Sequence, residues 1–257
     1  MNKRILLLLS IALSLCVSSF AINEKPFTIP EVKEWKGLDG SIALSGRIIY
    51  KGLEEKKVAQ QLADDYQQLF GKQLTLVQDK ARKGDIVLRL KAEKALGEEG
   101  YTMSIHDIPI LSANHRKGLY WATRTLLQLL EQHPSHALPR GEIRDTPDYP
   151  FRGVMLDCGR KYFPMSMLRQ YVKMLAYYKM NVFHIHLNDN AFQWFYNNDW
   201  SRTPAAFRLE SEWFPGLTAR DGHYTKHDFI ALQQLADSLG IEVIPEIDVP
   251  AHCLALT

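Results

Sequence analysis

The sequence has few cysteines, little net charge and only one long hydrophobic run. Three cysteines in 257 residues are too few for the disulfide framework of a small secreted module. A net charge of +2, from 31 basic and 29 acidic residues, excludes a strongly basic nucleic-acid-binding protein. The hydrophobic share of 46% excludes a disordered chain and is enough for a sizeable core.

The single hydrophobic run lies at the N-terminus. Two basic residues precede an apolar stretch over residues 5–17, and small residues follow at Ser19 and Ala21. This layout is typical of a secretory signal peptide, and the run is too short to span a bilayer comfortably. We therefore predict a signal peptide over residues 1–21 and an exported protein, periplasmic or extracellular. Lipid anchoring at Cys16 is a less favoured alternative, because a large residue precedes that cysteine.

Residues 22–146 mix alternating and helical hydrophobic patterns. Residues 41–50 alternate as in a strand, whereas Leu53–Phe70 has helical spacing and ends before Gly71. Further strands and one more helix are predicted from shorter patterns, at residues 74–77, 86–90, 101–105, 108–112 and 118–130. We predict a small α+β domain over residues 22–146.

The pattern changes after a turn-rich stretch that contains Pro139, Pro147 and Pro150. In residues 147–257, apolar strands alternate with helices in the order β-α-β-α-β, which is typical of a parallel sheet covered by helices. Polar residues follow each predicted strand: Asp157 and Arg160, then Asn188 and Asp189, then Asp248 and His252. Active sites of (β/α)8 TIM barrels lie at such strand ends. We predict an incomplete α/β barrel, with its first three strands here and the others beyond Thr257; a small open sheet is the alternative.

Four ordered blocks carry a resemblance to a known family. They are PFRGVMLDCGRKYFP at 150–164, KMNVFHIHLND at 179–189, GHYTK at 222–226 and GIEVIPEIDVPAH at 240–252. In three of these blocks the chain resembles the first three barrel strands of family 20 glycoside hydrolases, the β-N-acetylhexosaminidases, and GHYTK resembles the entry to the second barrel helix. The region before the blocks is similar to the small α+β domain that precedes the barrel in that family.

The resemblance implies an enzyme that removes terminal non-reducing N-acetylglucosamine or N-acetylgalactosamine from glycans. The implied mechanism is retaining and substrate-assisted: the acetamido oxygen of the sugar attacks the anomeric carbon, and a Glu protonates the leaving oxygen. A neighbouring Asp polarises the acetamido group. In the family this Asp-Glu pair lies on a later strand, so we expect no catalytic residue in this chain. The pair is expected downstream of Thr257, and the fragment alone is expected to be inactive.

By resemblance, three residues bind the substrate, and we expect them to converge on one rim: Arg152, Asp189 and His252. Three others are implied to support them: Asp157, Arg160 and Glu246. The resemblance implies no cofactor and no metal. The implied partner is a glycan with a terminal N-acetylhexosamine, without nucleic acid or a membrane span, and the oligomeric state stays open.

Two alternatives remain from the residues themselves. His184 and His186 lie two apart on a predicted strand, so both point to one face, and with Asp189 they form a potential zinc site of a barrel hydrolase. The other alternative is a non-catalytic glycan-binding protein. Tryptophans of the long loop after the second strand either stack on sugar rings or pack the loop itself: Trp194, Trp200 and Trp213.

Overall fold

The computed structural model describes residues 22–214 and 216–257. The predicted signal peptide, residues 1–21, lies outside the described residues. The chain divides between Thr146 and Pro147 into two compact units. Within the described part of the chain, no helix is both long enough and apolar enough to cross a membrane.

The first unit contains one mixed sheet of seven strands. In chain order they are β1 (Glu34–Ile42), β2 (Arg47–Ile49), β3 (Thr75–Val77), β4 (Ile86–Leu90), β5 (Tyr101–Ile105), β6 (Ile110–Ala113) and β7 (Leu138–Asp145). Their spatial order is β1-β7-β5-β6-β4-β2-β3. The pairs from β1 to β6 are antiparallel, and those from β6 to β3 are parallel. The strands predicted at residues 101–105 and 108–112 are observed as β5 and β6, which pair antiparallel.

Two helices pack on this sheet and on each other, α1 (Leu53–Phe70) and α2 (Arg116–Glu131). The predicted bounds of α1 are confirmed, because Gly71 ends it in the left-handed conformation with φ 68°. Every residue of α2 from Gly118 to Leu130 is buried. The one guanidinium in that stretch, on Arg124, is neutralised by Asp65 at 2.6 Å.

Two parts of the first unit differ from the predicted pattern. Residues 41–50 do not form one strand, because the chain turns through Gly46 at φ 87° and separates β1 from β2. The stretch predicted to be turn-rich near Pro139 is the start of β7. Pro139 is accommodated where the pairing register with β1 shifts between Gly37 and Ser41, a position at which a missing amide donor is tolerated.

The second unit is built on a parallel three-stranded sheet. Its elements are β8 (Gly153–Asp157), α3 (Met165–Tyr177), β9 (Val182–His186), β10 (Asn188–Asn190), β11 (Ala205–Phe207), α4 (Lys226–Ser238) and β12 (Glu242–Glu246). The sheet order is β12-β9-β8, and both pairs are parallel. The predicted β-α-β-α-β order is confirmed. Thr225 caps α4 by accepting from the amide of Asp228, a usual N-terminal cap for threonine.

The two faces of this sheet differ in chemistry. Phe183 and Ile185 of β9 are fully buried, and the ring of Tyr171 from α3 stacks on Phe183 at 6.0 Å. Alternation along the strand places His184 and His186 on the opposite face. The helices therefore cover an apolar face, and the other face carries the titratable side chains. The long segment between β9 and α4 contains two short strands, β10 and β11, which pair antiparallel with each other.

Candidate functional site

The carboxyl ends of the three parallel strands bring polar side chains side by side. Asp157, His186 and Glu246 are the last residues of β8, β9 and β12, and the strand register aligns all three. Neighbouring residues in register share a face of the sheet, so these side chains lie at one end of one face. The loops that follow add Arg160 and His252 to the same end.

Asp189 is the centre of this arrangement and is only 2% exposed. Its Oδ2 accepts from His186 Nε2 at 2.7 Å and faces Arg160 Nη1 at 2.8 Å. Its Oδ1 accepts from His252 Nδ1 at 2.8 Å and from the amide of Asn190 at 2.6 Å. We call Asp189, Arg160, His186 and His252 the Asp189 cluster. Two predicted site residues, Asp189 and His252, are thus in direct contact.

A second carboxylate extends the cluster along the sheet. Glu246 Oε1 lies 3.1 Å from His186 Nδ1, and its Oε2 lies 2.5 Å from His184 Nε2. Both ring nitrogens of His186 therefore face carboxylate oxygens, an arrangement that favours the doubly protonated imidazolium. The result is an alternating chain of imidazoles and carboxylates from His184 to His252.

Arg160 holds the loop after β8 in place. Its Nη1 donates to Asp157 Oδ2 at 2.7 Å, and its amide donates to the other oxygen of that carboxylate at 3.0 Å. The loop can approach β10 only because residue 159 is glycine. A Cβ on Gly159 would lie 2.7 Å from the carbonyl carbon of Asn188 and 2.8 Å from the Cβ of Asp189.

The prediction that Arg152 converges with Asp189 and His252 is wrong. Arg152 precedes Gly153, the first residue of β8, so it lies about five strand residues, or roughly 16 Å, from the carboxyl end. Its Nε donates to the carbonyl of Lys179 at 2.8 Å and its Nη1 to that of Tyr149 at 2.7 Å. Arg152 therefore binds the backbone of the turns that precede β8 and β9. Arg160 is the arginine that lies with Asp189 and His252 in the predicted site.

Asn188 was predicted only to lie at a strand end, without a role in the site, yet it fixes the loop that carries His252. It is fully buried, and its Nδ2 donates to the carbonyls of Asp248 at 3.0 Å and His252 at 2.9 Å. Its Oδ1 accepts from the amide of Asp248 at 2.8 Å. These bonds hold His252 in the left-handed region at φ 56°, which costs energy for a residue other than glycine. Its place directly after a buried strand is the signal in the sequence.

Arg208 is the second residue that the sequence patterns missed. It is 1% exposed, and its guanidinium donates to the carbonyls of Cys158 at 2.9 Å and Gly159 at 3.0 Å. It also donates to the carbonyl of Gly222 at 2.8 Å and to Asp221 at 2.6 Å. Arg208 therefore fixes the backbone immediately before Arg160. A lone charge within an apolar stretch, AAFRL, was the available signal.

The two histidines of the zinc hypothesis both contact Glu246, through different oxygens. One group whose donor atoms lie within 4.8 Å of one another consists of His186, Asp189 and His252, without His184. In that group the imidazole nitrogens already pair with carboxylate oxygens. The guanidinium of Arg160, 2.8 Å from Asp189, also places a permanent positive charge where a cation would bind. The donor set therefore fits a hydrogen-bonded cluster better than a zinc site.

A cavity of about 650 Å³ opens beside the Asp189 cluster. Arg160, Asp189 and His252 contribute to its wall, together with Trp194 and Trp200 from the long loop after β9. Its volume lies within the range of about 300–1,000 Å³ that is usual for small-molecule sites. Charged groups and aromatic rings in one wall are what a sugar ring, with its hydroxyl edge and apolar face, can use.

The cluster shifts two pKa values in opposite directions. Burial raises the pKa of Asp189, but hydrogen bonds from His252, the Asn190 amide and His186, with the charge of Arg160, outweigh it and lower the pKa below its usual 3.8. Burial lowers the pKa of His186, but its bonds to Asp189 and the nearby Glu246 raise the pKa above its usual 6.5. Both shifts favour the charged forms.

These shifts predict a stability that depends on pH. The contribution of His186 to the free energy of unfolding is complete below its usual pKa of 6.5, and it is lost as pH rises through the raised pKa. The contribution of Asp189 to the free energy of unfolding is present above its usual pKa of 3.8, and it is lost as pH falls through the lowered pKa. We expect His186→Gln to lower the melting temperature more at about pH 5.5 than at about pH 8.5. The exposed His227→Gln is the matched control; an equal loss at both pH values contradicts the assignment.

Sequence comparisons cover both units. Residues 149–257 match the family model described as "Glycosyl hydrolase family 20, catalytic domain". Residues 25–146 match the model described as "Glycosyl hydrolase family 20, domain 2". The chain is 36% identical to a beta-hexosaminidase of Akkermansia muciniphila over 148 residues, which are 57% of this chain and 30% of that protein. It is 32% identical to a beta-hexosaminidase of Vibrio furnissii, over 66% of this chain and 29% of that protein.

Solved structures of beta-N-acetylhexosaminidases also match this chain. The N-acetyl-beta-hexosaminidase of Streptomyces plicatus, in complex with Thio-NAglucal, matches with a TM-score of 0.77 and 26% identity, over 92% of this chain and 48% of that chain. The beta-N-acetylhexosaminidase of Streptomyces coelicolor matches with a TM-score of 0.75 and 27% identity, over 89% and 47%. The chain therefore spans about 30% of these curated relatives and just under half of these solved chains. The chain belongs to glycosyl hydrolase family 20.

Proposed function

We propose that this chain is part of a β-N-acetylhexosaminidase and that the Asp189 cluster binds the terminal N-acetylhexosamine of a glycan. The observation that carries the proposal is the meeting of Arg160, Asp189 and His252 beyond the carboxyl ends of successive parallel strands. In barrel enzymes this is the end that binds substrate. The membership in family 20 and the beta-hexosaminidase relatives support the same substrate class.

Arg160 and His252 are the proposed sugar-binding side chains, and Asp157 and Asp189 hold them in position. The guanidinium of Arg160 provides planar, permanently charged donors to ring hydroxyls and is held in place by Asp157. Asp189 fixes the imidazole of His252 through Nδ1 and leaves Nε2 directed away from that bond. We place the acid and the acetamide-orienting carboxylate on a later strand, outside residues 147–257. The isolated chain is accordingly expected to be inactive.

We also propose that the parallel sheet is the start of a (β/α)8 barrel. Among the described residues, β8 and β12 pair only with β9, so each has one edge without a partner strand. Met155 lies in register with His184 on the polar face and is 56% exposed. A large apolar side chain on the inner face of a sheet suits the packed interior of a closed barrel. Export, based on the pattern in residues 1–21, completes the proposal.

The proposal is tested with the complete protein that carries this chain. We expect it to release nitrophenol from 4-nitrophenyl N-acetyl-β-glucosaminide and to form the β-anomer of the sugar first, as a retaining mechanism requires. Proton NMR of the first product formed distinguishes the anomers. Initial release of the α-anomer contradicts the mechanism. Tight calorimetric binding of N-acetylglucosamine without any hydrolysis favours a non-catalytic glycan-binding protein instead.

A further inference from the structure

The cavity beside the Asp189 cluster has a polar inner end and an aromatic mouth. Asp189 is 2% exposed, whereas Trp194 is 65% exposed and Trp200 is 52% exposed. Both tryptophans line the same cavity as Asp189 and His252. A ligand that fills the cavity therefore contacts buried charges at one end and open aromatic rings at the other.

Trp194 at the mouth belongs to a connected group of rings with Phe192 and Phe195. Phe192 lies edge-on to Trp194 with centroids 5.7 Å apart, and Phe195 lies 4.8 Å from Trp194. The guanidinium carbon of Arg160 lies 4.9 Å from the centre of the Phe192 ring. This cation–π contact joins the mouth to the polar end, so the two ends are held by the same arginine.

Exposed aromatic rings grouped around one cavity form a contiguous apolar patch, and such patches commonly mark binding surfaces. Helix packing does not account for it, because the rings belong to short turns, Gln193–Tyr196 and Trp200–Arg202, that connect β10 to β11. A pyranose ring has an apolar face that suits an aromatic ring and hydroxyls that suit nearby polar groups. Both kinds of group occur in this cavity.

We infer that Trp194 and Trp200 form the subsite for the second sugar of the substrate, the ring on the leaving-group side of the cleaved bond. This inference rests on the proposed function. In the proposed function the terminal sugar occupies the buried, charged end of the cavity, and the next sugar of the glycan then lies at its aromatic mouth. The occupant is therefore a pyranose of the oligosaccharide, and the subsite gives preference to oligosaccharides over glycosides with small leaving groups.

The test compares two substrates in the complete protein and in its variants. The disaccharide of β-linked N-acetylglucosamine reaches the mouth, whereas methyl N-acetyl-β-glucosaminide does not. We expect Trp194→Ala and Trp200→Ala each to raise the KM of the disaccharide by about three- to tenfold, from the usual worth of one aromatic contact. The KM of the methyl glycoside is expected to stay within about twofold.

Trp213→Ala is the matched control. Trp213 is 89% exposed and lines a different cavity, so both KM values should be unchanged. An unchanged disaccharide KM in both mouth variants, with normal activity of the unmodified protein, overturns the subsite alone. An equal rise for both substrates also overturns it. If the unmodified protein cleaves neither substrate, the proposed function fails, and the subsite fails with it.

Discussion

Asp189→Asn is expected to lower the kcat/KM of the complete protein on N-acetylhexosaminides by about a hundredfold, the usual result of displacing a binding group by about 1 Å. The Asp189 carboxylate accepts from His186 and His252 and faces Arg160, all within 2.8 Å. Asparagine has one acceptor oxygen instead of two, and its NH2 group would face donors. His252 and Arg160 would therefore lose their fixed positions. Steady-state kinetics measures the effect.

Asp199→Asn is the control for this prediction. Asp199 belongs to the same loop, and its carboxylate accepts from the amide and hydroxyl of Ser201. We expect its kcat/KM to stay close to that of the unmodified protein. If Asp189→Asn keeps full activity while folded, the Asp189 cluster has no part in binding the substrate.

Arg208→Met is expected to have the largest effect on stability. Methionine fills much of the volume but removes every donor to the carbonyls of Cys158, Gly159 and Gly222. A buried acceptor left without a donor costs about 1–3 kcal/mol, so the loss should be about 3 kcal/mol or more. For a unit of this size the melting temperature should fall by roughly 10 °C or more.

Arg220→Met provides the matched control, because Arg220 is exposed in the same segment. Its melting temperature should change by no more than about 2 °C, as is usual for a surface substitution. Differential scanning calorimetry of the two variants beside the unmodified protein separates the effects. Equal melting temperatures for both would show that the bonds of Arg208 add nothing to stability.

The helices and the parallel strands could be predicted from the sequence because each depends on the spacing of apolar residues within a short segment. The spacing of apolar residues and the glycine at position 71 predicted the bounds of α1. Strand β7 did not follow, because its place beside β1 and β5 depends on pairing with distant residues. Proline and glycine at its start suggested a turn, and the sheet overrode that preference.

The site followed from the sequence only in part, for a reason that Arg152 and Arg160 illustrate. Both arginines flank the same strand, and the family resemblance assigned substrate binding to Arg152 and a supporting role to Arg160. Strand direction does: only a residue after β8 reaches the carboxyl end, where Asp189 and His252 lie. The roles of Arg208 and Asn188 were missed because their side chains bind backbone carbonyls of other loops, and such contacts leave little trace in local spacing.

The central claim is that Arg160, not Arg152, belongs to the substrate site, and paired kinetics of two variants of the complete protein tests it most directly. We expect Arg160→Gln to lower kcat/KM on 4-nitrophenyl N-acetyl-β-glucosaminide by about a hundredfold, as for a lost charged donor to the sugar. Arg152→Gln should lower the melting temperature yet keep kcat/KM within about threefold when folded. The opposite outcome, full activity in Arg160→Gln and a large loss in Arg152→Gln, would contradict the account.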